Sequence, residues 1–156
     1  MRIIFWTGLV TFLADQASKY WVLHILNLDQ LGAIDVWPPL FNLRMAWNFG
    51  VNFGLFSGDN DTTRWILIAI ALVICGVVLW WVRREQGGAR QEIAAGLLVG
   101  GALGNVIDRL LYGGVADFLN TSCCGIDNPF SFNVADIAVF AGAVGMILFT
   151  GGKKAA

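Results

Sequence analysis

The sequence predicts an all-α membrane protein, a bundle of four transmembrane helices with a small extracytoplasmic platform of β type. Of its 156 residues, 57% are hydrophobic and only 13% are charged, whereas soluble domains carry about 25% charged residues. A bilayer core requires roughly 20 predominantly apolar residues per helix, and four stretches meet or approach that length. These spans are residues 3–26, 65–82, 93–112 and 134–149, within a single domain over residues 1–156.

The distribution of Lys and Arg predicts the orientation of the spans, because cytoplasmic loops are enriched in these residues. Arg44 and Arg64 alone fall near the span ends on one face. Six others fall at the termini or in the second loop: Arg2, Arg83, Arg84, Arg90, Lys153 and Lys154. We therefore expect both termini to be cytoplasmic. The first apolar run resembles a cleaved signal peptide, but no small-residue cleavage site follows it.

Two long loops lie on the opposite face. In the loop over residues 27–64, apolar and polar residues partly alternate, which predicts a small extended or β-type platform on the outer surface. The region 113–133 is expected to be a loop.

Charge and cysteine content exclude two functional classes. A net charge of −1 provides no basic field to hold nucleic acid. Cys75, Cys123 and Cys124 form neither a disulfide framework nor a CxxC metal pair, and there is a single His. We therefore expect no metal site, and the oxidation state of Cys123 and Cys124 is left open.

Ionisable residues nevertheless lie inside the predicted spans, where each costs several kcal/mol unless it is paired or faces water. Asp15 and Lys19 lie in the first span, Asp108 and Arg109 in the third, and Asp136 begins the fourth. At about 1.5 Å per residue, all of them lie toward the outer leaflet. The polar groups of three spans therefore converge at one depth.

Helical spacing groups these residues onto shared faces. The sets are Asp15 with Lys19, Asn105 with Asp108 and Arg109, and Asn133 with Asp136. A stripe of small residues, Gly96, Gly100 and Gly104, is expected to let the third span approach its neighbours closely.

Asp117 and Asp136 have no adjacent cation in the sequence. Two carboxylates held near each other cannot both ionise cheaply, so they share a proton. The ionised member then deprotonates a water while the protonated member polarises a carbonyl, as in an aspartic protease. The residues alone are equally compatible with a proton-coupled transporter, or with ion pairs that only hold a bundle together.

Five motifs in order resemble those of bacterial lipoprotein signal peptidase, or signal peptidase II. They are Asp15-Gln16-Ala17-Ser18-Lys19, Asn48-Phe49-Gly50-Val51-Asn52-Phe53, Gly100-Gly101-Ala102-Leu103-Gly104-Asn105-Val106-Ile107-Asp108-Arg109, Gly114-Val115-Ala116-Asp117-Phe118 and Phe132-Asn133-Val134-Ala135-Asp136. The resemblance covers essentially the whole chain.

The resemblance implies a multi-pass aspartic endopeptidase of the bacterial inner membrane, with its active site toward the periplasm. Such an enzyme removes the signal peptide from diacylglyceryl-modified prolipoproteins just before the lipidated cysteine, needs no metal or organic cofactor, and is expected to be a monomer. Asp117 and Asp136 match the catalytic dyad. The positions that support the site or contact substrate or the peptide inhibitor globomycin are Asp15, Lys19, Asn48, Gly50, Asn105, Asp108, Arg109, Asn133 and Ala135.

We assign hypothetical roles to some of these residues. Asn133 is expected to fix which dyad oxygen keeps the proton, Asn105 and Asn48 to hold the backbone of an extended substrate, and Arg109 to pair with Asp108.

The loop aromatics either cover the acyl chains and shield the dyad or merely anchor the loop; they are Trp47, Phe49, Phe53 and Phe56. The chain departs from the family pattern at Asn52 and across residues 120–130, where a longer or more polar insertion is expected.

Overall fold

A computed structural model describes residues 1–38, 40–50, 60–85, 88–123 and 128–149. In chain order the elements are α1 (Arg2–Tyr20), a π-helical turn (Trp21–Ile25), α2 (Leu28–Leu31), β1 (Ala33–Trp37), β2 (Phe41–Asn48), α3 (Asn60–Glu85), α4 (Ala89–Tyr112), β3 (Val115–Asn120) and α5 (Val134–Phe149). The protein is mostly helical and carries one small sheet, as expected.

All four predicted spans are helical, but they differ in their ability to cross a membrane. Within the described ranges, Asp61–Glu85 and Ala89–Tyr112 are long and apolar enough to do so by length and composition. Helix α5 has only 16 residues, and α1 carries Arg2, Asp15 and Lys19. Exposed apolar side chains cover the outer helix faces, with Val73 64% and Ile147 77% exposed, which is typical of a surface that faces lipid.

Helix α4 is the centre of the bundle, because α1, α3 and α5 all pack against it. Its glycines make the close approaches that the sequence predicts. A Cβ at Gly100 would collide with the carbonyl oxygen of Gly8 in α1, and a Cβ at Gly96 would lie 2.7 Å from Cβ of Thr7. The expectation of a small-residue packing stripe is therefore confirmed.

The sheet has three antiparallel strands in the order β1-β2-β3. Strands β1 and β2 confirm the predicted platform, whereas β3 lies where a loop was expected. Five of the six residues of β3 are buried, so its sequence lacks the alternation that identifies a half-exposed strand. Ala46 of β2 lies opposite Asp117, which places β3 and its carboxylate beside the platform.

A buried apolar cluster joins the platform to the helices. It contains Val22 of the π-helical turn, Leu28 of α2, Leu43 of β2 and Phe118 of β3. A π-helical turn shifts the helix face by one residue relative to an α-helix. Lys19, just before the turn, is buried within the helix bundle. Val22, inside the turn, is buried against the sheet residues Leu43 and Phe118.

The loop from β3 to α5 is tied back at its base. Leu119 and Phe132 form an isolated antiparallel bridge, and the side-chain amide of the buried Asn120 donates to the carbonyls of Asn128 and Phe130 at 2.8 and 2.9 Å.

Cys123 is disulfide-bonded and Cys75 is a buried free thiol. Cys124 and residues 125–127 lie outside the described residues.

The contact between Gly8 and Gly100 predicts that Gly100→Ala lowers the thermal stability. The added methyl group meets backbone rather than a mobile side chain, and overpacking of this kind costs about 1–3 kcal/mol. We expect the melting temperature in detergent to fall by several degrees.

Gly76→Ala is the matched control, since a Cβ at Gly76 on α3 would have no neighbour within 4 Å. This variant should melt at or slightly above the wild-type temperature. Equal melting temperatures for the two variants would contradict the proposed packing of α1 on α4.

Candidate active site

Asp117 and Asp136 are connected through Asn133. The side-chain amide of Asn133 donates to Oδ1 of Asp117 at 2.6 Å. Its backbone N–H donates to Oδ2 of Asp136 at 3.3 Å, and its Oδ1 accepts from the backbone N–H of Asp136 at 2.8 Å. The last two bonds form a reciprocal cap at the start of α5, equivalent to a capping box. The Asp136 side chain is therefore held in place at the N-terminus of α5.

Each carboxylate also accepts a second amide hydrogen bond. Asn48 of β2 donates to Oδ2 of Asp117 at 3.1 Å, and Asn105 of α4 donates to Oδ1 of Asp136 at 2.9 Å. Asn48 is in turn held by the backbone N–H of Gly50, which donates to its Oδ1 at 3.1 Å. Gly50 has φ +102, and a Cβ there would lie 2.6 Å from Cδ1 of Leu67, so only glycine fits.

Asp117 is 4% exposed. Burial and, second to it, the charge of Asp136 raise the pKa of its carboxyl from 3.8 to about 6. The hydrogen bonds from Asn48 and Asn133 and the charge of Lys19 oppose this shift. Asp117 therefore keeps its proton up to a higher pH than an ordinary aspartate does, as expected of one member of a carboxylate pair.

A buried cation lies behind the two carboxylates. Lys19 is 3% exposed and its Nζ lies 2.8 Å from Oδ2 of Asp15 and 2.7 Å from Oδ2 of Asp108. It also donates to Oδ1 of Asn105 at 3.2 Å. One lysine thus joins two aspartates on α1 and α4 to the asparagine that contacts Asp136.

The same two aspartates hold the backbone beside each candidate dyad residue. Oδ1 of Asp15 accepts the N–H of Ala135 at 2.9 Å, and Oδ2 of Asp108 accepts the N–H of Ala116 at 3.3 Å. Ala135 immediately precedes Asp136, and Ala116 immediately precedes Asp117. Ala135 is fully buried.

Arg109 differs from its expected role. We expected it to pair with Asp108, but in the described part of the chain Asp108 pairs with Lys19. The side chains of consecutive helix residues do not face each other, and Asp108 instead contacts Lys19 of α1. Arg109 instead donates to the carbonyl of Asn105 at 3.3 Å, and its buried Nε has no hydrogen-bond partner among the described residues.

Gln16 is a member of the site that the sequence did not reveal. Its side-chain amide donates to Oδ2 of Asp15 at 3.1 Å and to Oδ1 of Asp108 at 3.0 Å. The only sequence signal is its place within the Asp15–Lys19 motif.

Aromatic side chains flank the site where α4 meets the sheet. Trp47 lies 6.5 Å from Phe49 and 5.6 Å from Tyr112 between ring centroids, and its indole N–H donates to Asp29 at 2.8 Å. Phe53, Phe56 and Asn52 lie outside the described residues.

Comparison with known proteins identifies the family. The model of the signal peptidase (SPase) II family matches residues 7–151. The chain belongs to the signal peptidase II family. A lipoprotein signal peptidase of Rhodopseudomonas palustris is 38% identical over 144 residues, 90% of this chain and 86% of that protein. One of Methylorubrum extorquens is 40% identical over 149 residues, 92% of this chain and 85% of that protein.

Solved structures agree with this assignment. A bacterial membrane enzyme superposes with a TM-score of 0.81 at 26% identity, covering 99% of this chain and 96% of that one. The resemblance drawn from the motifs is thus confirmed, and so is the expected function of a signal peptidase II, a membrane peptidase that removes signal peptides from prolipoproteins. The transporter and the purely structural alternatives are set aside.

The buried cation predicts a large effect of Lys19→Met on stability. Without the ammonium group, Asp15 and Asp108 face each other as unpaired buried carboxylates, and breaking such a network costs about 3–5 kcal/mol. We expect little folded protein, or a melting temperature lowered by roughly 10 °C or more. Ser18→Ala, which removes only a hydrogen bond to the carbonyl of Asp15, should melt within a few degrees of wild type. A Lys19→Met variant as stable as Ser18→Ala would contradict the structural role of the cation.

The raised pKa of Asp117 predicts a pH-dependent stability. Folded Asp117 titrates near pH 6 and its unfolded form near 3.8, so the folded state binds the proton more tightly. That stabilisation is complete below the unfolded pKa and is lost as the pH rises through the folded pKa, up to about 3 kcal/mol. Asp117→Asn cannot titrate, so its melting temperature relative to wild type should rise between about pH 4 and pH 7.

Asp35→Asn removes an exposed carboxylate on β1 and serves as the control. Its difference from wild type should stay nearly constant over the same range. A constant difference for Asp117→Asn as well would show that Asp117 does not carry a raised pKa.

Proposed function

We propose that the chain is an aspartic endopeptidase that cleaves diacylglyceryl-modified prolipoproteins just before the lipidated cysteine, with Asp117 and Asp136 as its catalytic dyad. The observation that carries the proposal is the bridge through Asn133, which ties two acids from separate elements into one hydrogen-bonded unit. We further propose four transmembrane spans in the bacterial inner membrane, cytoplasmic termini, a periplasmic active site and a monomeric enzyme. The enzyme requires no metal or organic cofactor.

In the proposed reaction Asp117 keeps the shared proton and Asp136 is ionised. The pKa of Asp117 near 6 supports this assignment. Asp136 takes a proton from water, whose oxygen attacks the peptide carbonyl carbon, while Asp117 gives its proton to the carbonyl oxygen. When the C–N bond breaks, the leaving amine takes the proton from Asp136, and the hydroxyl of the diol returns one to Asp117. The dyad is then restored.

The supporting residues fall into two groups. Asp15, Lys19, Asp108 and Ala135 are positioning residues, because they act on the backbone beside the dyad rather than on substrate. Asn133 orients both carboxylates, and Gly50 holds Asn48 in place.

Arg109, Asn48 and Asn105 are the groups that we propose contact substrate. The buried Nε of Arg109 has no hydrogen-bond partner in the described part of the chain, so a carbonyl of the substrate or of globomycin would satisfy it. Asn48 is exposed beside Asp117, where its amide can also reach an extended peptide backbone. The aromatic group formed by Trp47, Phe49 and Tyr112 would cover the acyl chains of the lipidated cysteine and keep bulk water from the dyad.

The proposal is tested by cleavage of a purified diacylglyceryl-modified prolipoprotein in detergent without added metal. Wild type should cut the lipidated substrate before its modified cysteine, leave an unlipidated precursor intact, and be inhibited by globomycin. Asp117→Asn and Asp136→Asn should each reduce kcat by about 10²–10⁴-fold or more, while thermal unfolding shows that both are folded.

Asp35→Asn is the control for the loss of one carboxylate on the same side of the protein and should cleave at the wild-type rate. If either dyad variant cleaved at near wild-type rates, the assignment of that residue would be wrong. The buried acids Asp15 and Asp108 would then be the next candidates.

A further inference from the structure

An open groove lies between α1 and α3 on the surface of α4. It has a volume of about 520 Å³ and is lined by apolar side chains and glycine, among them Phe5, Gly8 and Phe12 of α1, Leu79 of α3, and Leu103 and Ile107 of α4. We call it the α1–α3 groove. Its volume lies within the range of small-molecule sites.

Two of the residues that line the groove, Gly8 and Gly100, lie where α1 crosses α4. They bring the backbones of the two helices into contact, so the groove is bounded there by backbone. Phe5 is 61% exposed and Leu103 is 36% exposed on those walls. The groove thus presents apolar surface that the described part of the chain does not cover.

Two arginines lie at one end of the groove. Arg83 follows Leu79 by one helical turn, and Arg2 precedes Phe5 by one turn, so each continues a groove wall toward the end of the bundle. Both are exposed, and within the described ranges neither pairs with a carboxylate. The nearby acid Glu92 is bound to the amino group of Met1 at 2.6 Å, and Glu85 accepts a hydrogen bond from Gln91 at 3.0 Å.

We propose that the α1–α3 groove binds an anionic phospholipid, with one acyl chain in the groove and the phosphate on Arg2 and Arg83. Basic groups at the cytoplasmic ends of transmembrane helices are the usual partners of anionic headgroups. This inference rests on the proposed topology, in which the arginine end faces the cytoplasm, and not on the dyad.

The length of the groove favours an acyl chain over a peptide helix. Along α1 it runs from Met1 to Phe12, about 17 Å at 1.5 Å per residue. One leaflet contributes about half of the ~30 Å hydrocarbon core, so the groove matches a single acyl chain. A signal helix that crosses the membrane would need roughly twice that length. A bound lipid would join α1 to α3 and stabilise the bundle.

The test is thermal unfolding of the full chain in detergent, with added phosphatidylglycerol or phosphatidylcholine carrying the same acyl chains. A ligand that binds only the folded state raises the melting temperature with its concentration. We expect a larger rise with phosphatidylglycerol. In the double variant Arg2→Gln/Arg83→Gln that difference should disappear, with apparent affinity for phosphatidylglycerol lowered about tenfold or more.

Two further variants separate the headgroup site from the groove. Arg90→Gln removes an arginine from the same end that stacks on Phe149 of α5, and it should keep the preference for phosphatidylglycerol. Leu103→Trp fills the groove and should abolish the rise with both lipids.

Three results would overturn the inference: equal shifts for the two lipids in the wild type, an unchanged preference in the double variant, or an undiminished shift in Leu103→Trp. If Leu103→Trp instead raised KM for the prolipoprotein and left the lipid shifts intact, the groove would hold the signal helix. The lipid readout does not need cleavage, so it stands or falls separately from the proposed peptidase mechanism.

Discussion

The ion cluster around Lys19 is the interaction on which the geometry of the site depends. A lysine that is 3% exposed is tolerable only because Asp15 and Asp108 both lie within ion-pair distance of it. Each of the two carboxylates also accepts a backbone N–H inside the bundle. Those amides belong to Ala135 and Ala116, so a cation on α1 sets the positions of Asp136 and Asp117. The two proposed catalytic carboxylates are therefore positioned through the backbone by this ion cluster.

The two proposed catalytic aspartates lie in different environments. Asp136 is both a capping residue of α5 and a proposed reacting group. The hydrogen bonds that cap the helix therefore also fix the orientation of its carboxylate. Asp117 has no such terminus and is buried on β3, where its pKa is raised to about 6. At neutral pH, ionisation of Asp117 therefore lowers the stability of the folded state, as is common for groups with shifted pKa values at functional sites. The difference between the two environments supports giving the shared proton to Asp117.

The sequence predicts these features unequally, for physical reasons. Long apolar runs predict the helices, and i,i+4 spacing predicts the contact between Asp15 and Lys19 because both are local properties. The partnership of Lys19 with Asp108 and the bridging role of Gln16 depend on the register of α1 against α4. That register is set by backbone contact at Gly8 and Gly100, which no spacing rule specifies. Strand β3 was missed because it is buried on both faces. The expected pairing of Arg109 with Asp108 was wrong, because Asp108 pairs with Lys19 of another helix.

The same glycine contacts connect the two ends of the molecule. The close approach of α1 to α4 brings Asp15 against Gly104 and delivers Lys19 to Asp108, which the site requires. The same crossing at Gly8 and Gly100 lines the open groove between α1 and α3 on α4. A side chain at Gly100 would meet the backbone of α1, which would push α1 away from α4 and move Lys19 away from Asp108. The apolar groove thus lies at the same helix crossing that positions the two proposed catalytic aspartates, and an acyl chain of a lipid is the occupant that we propose for it.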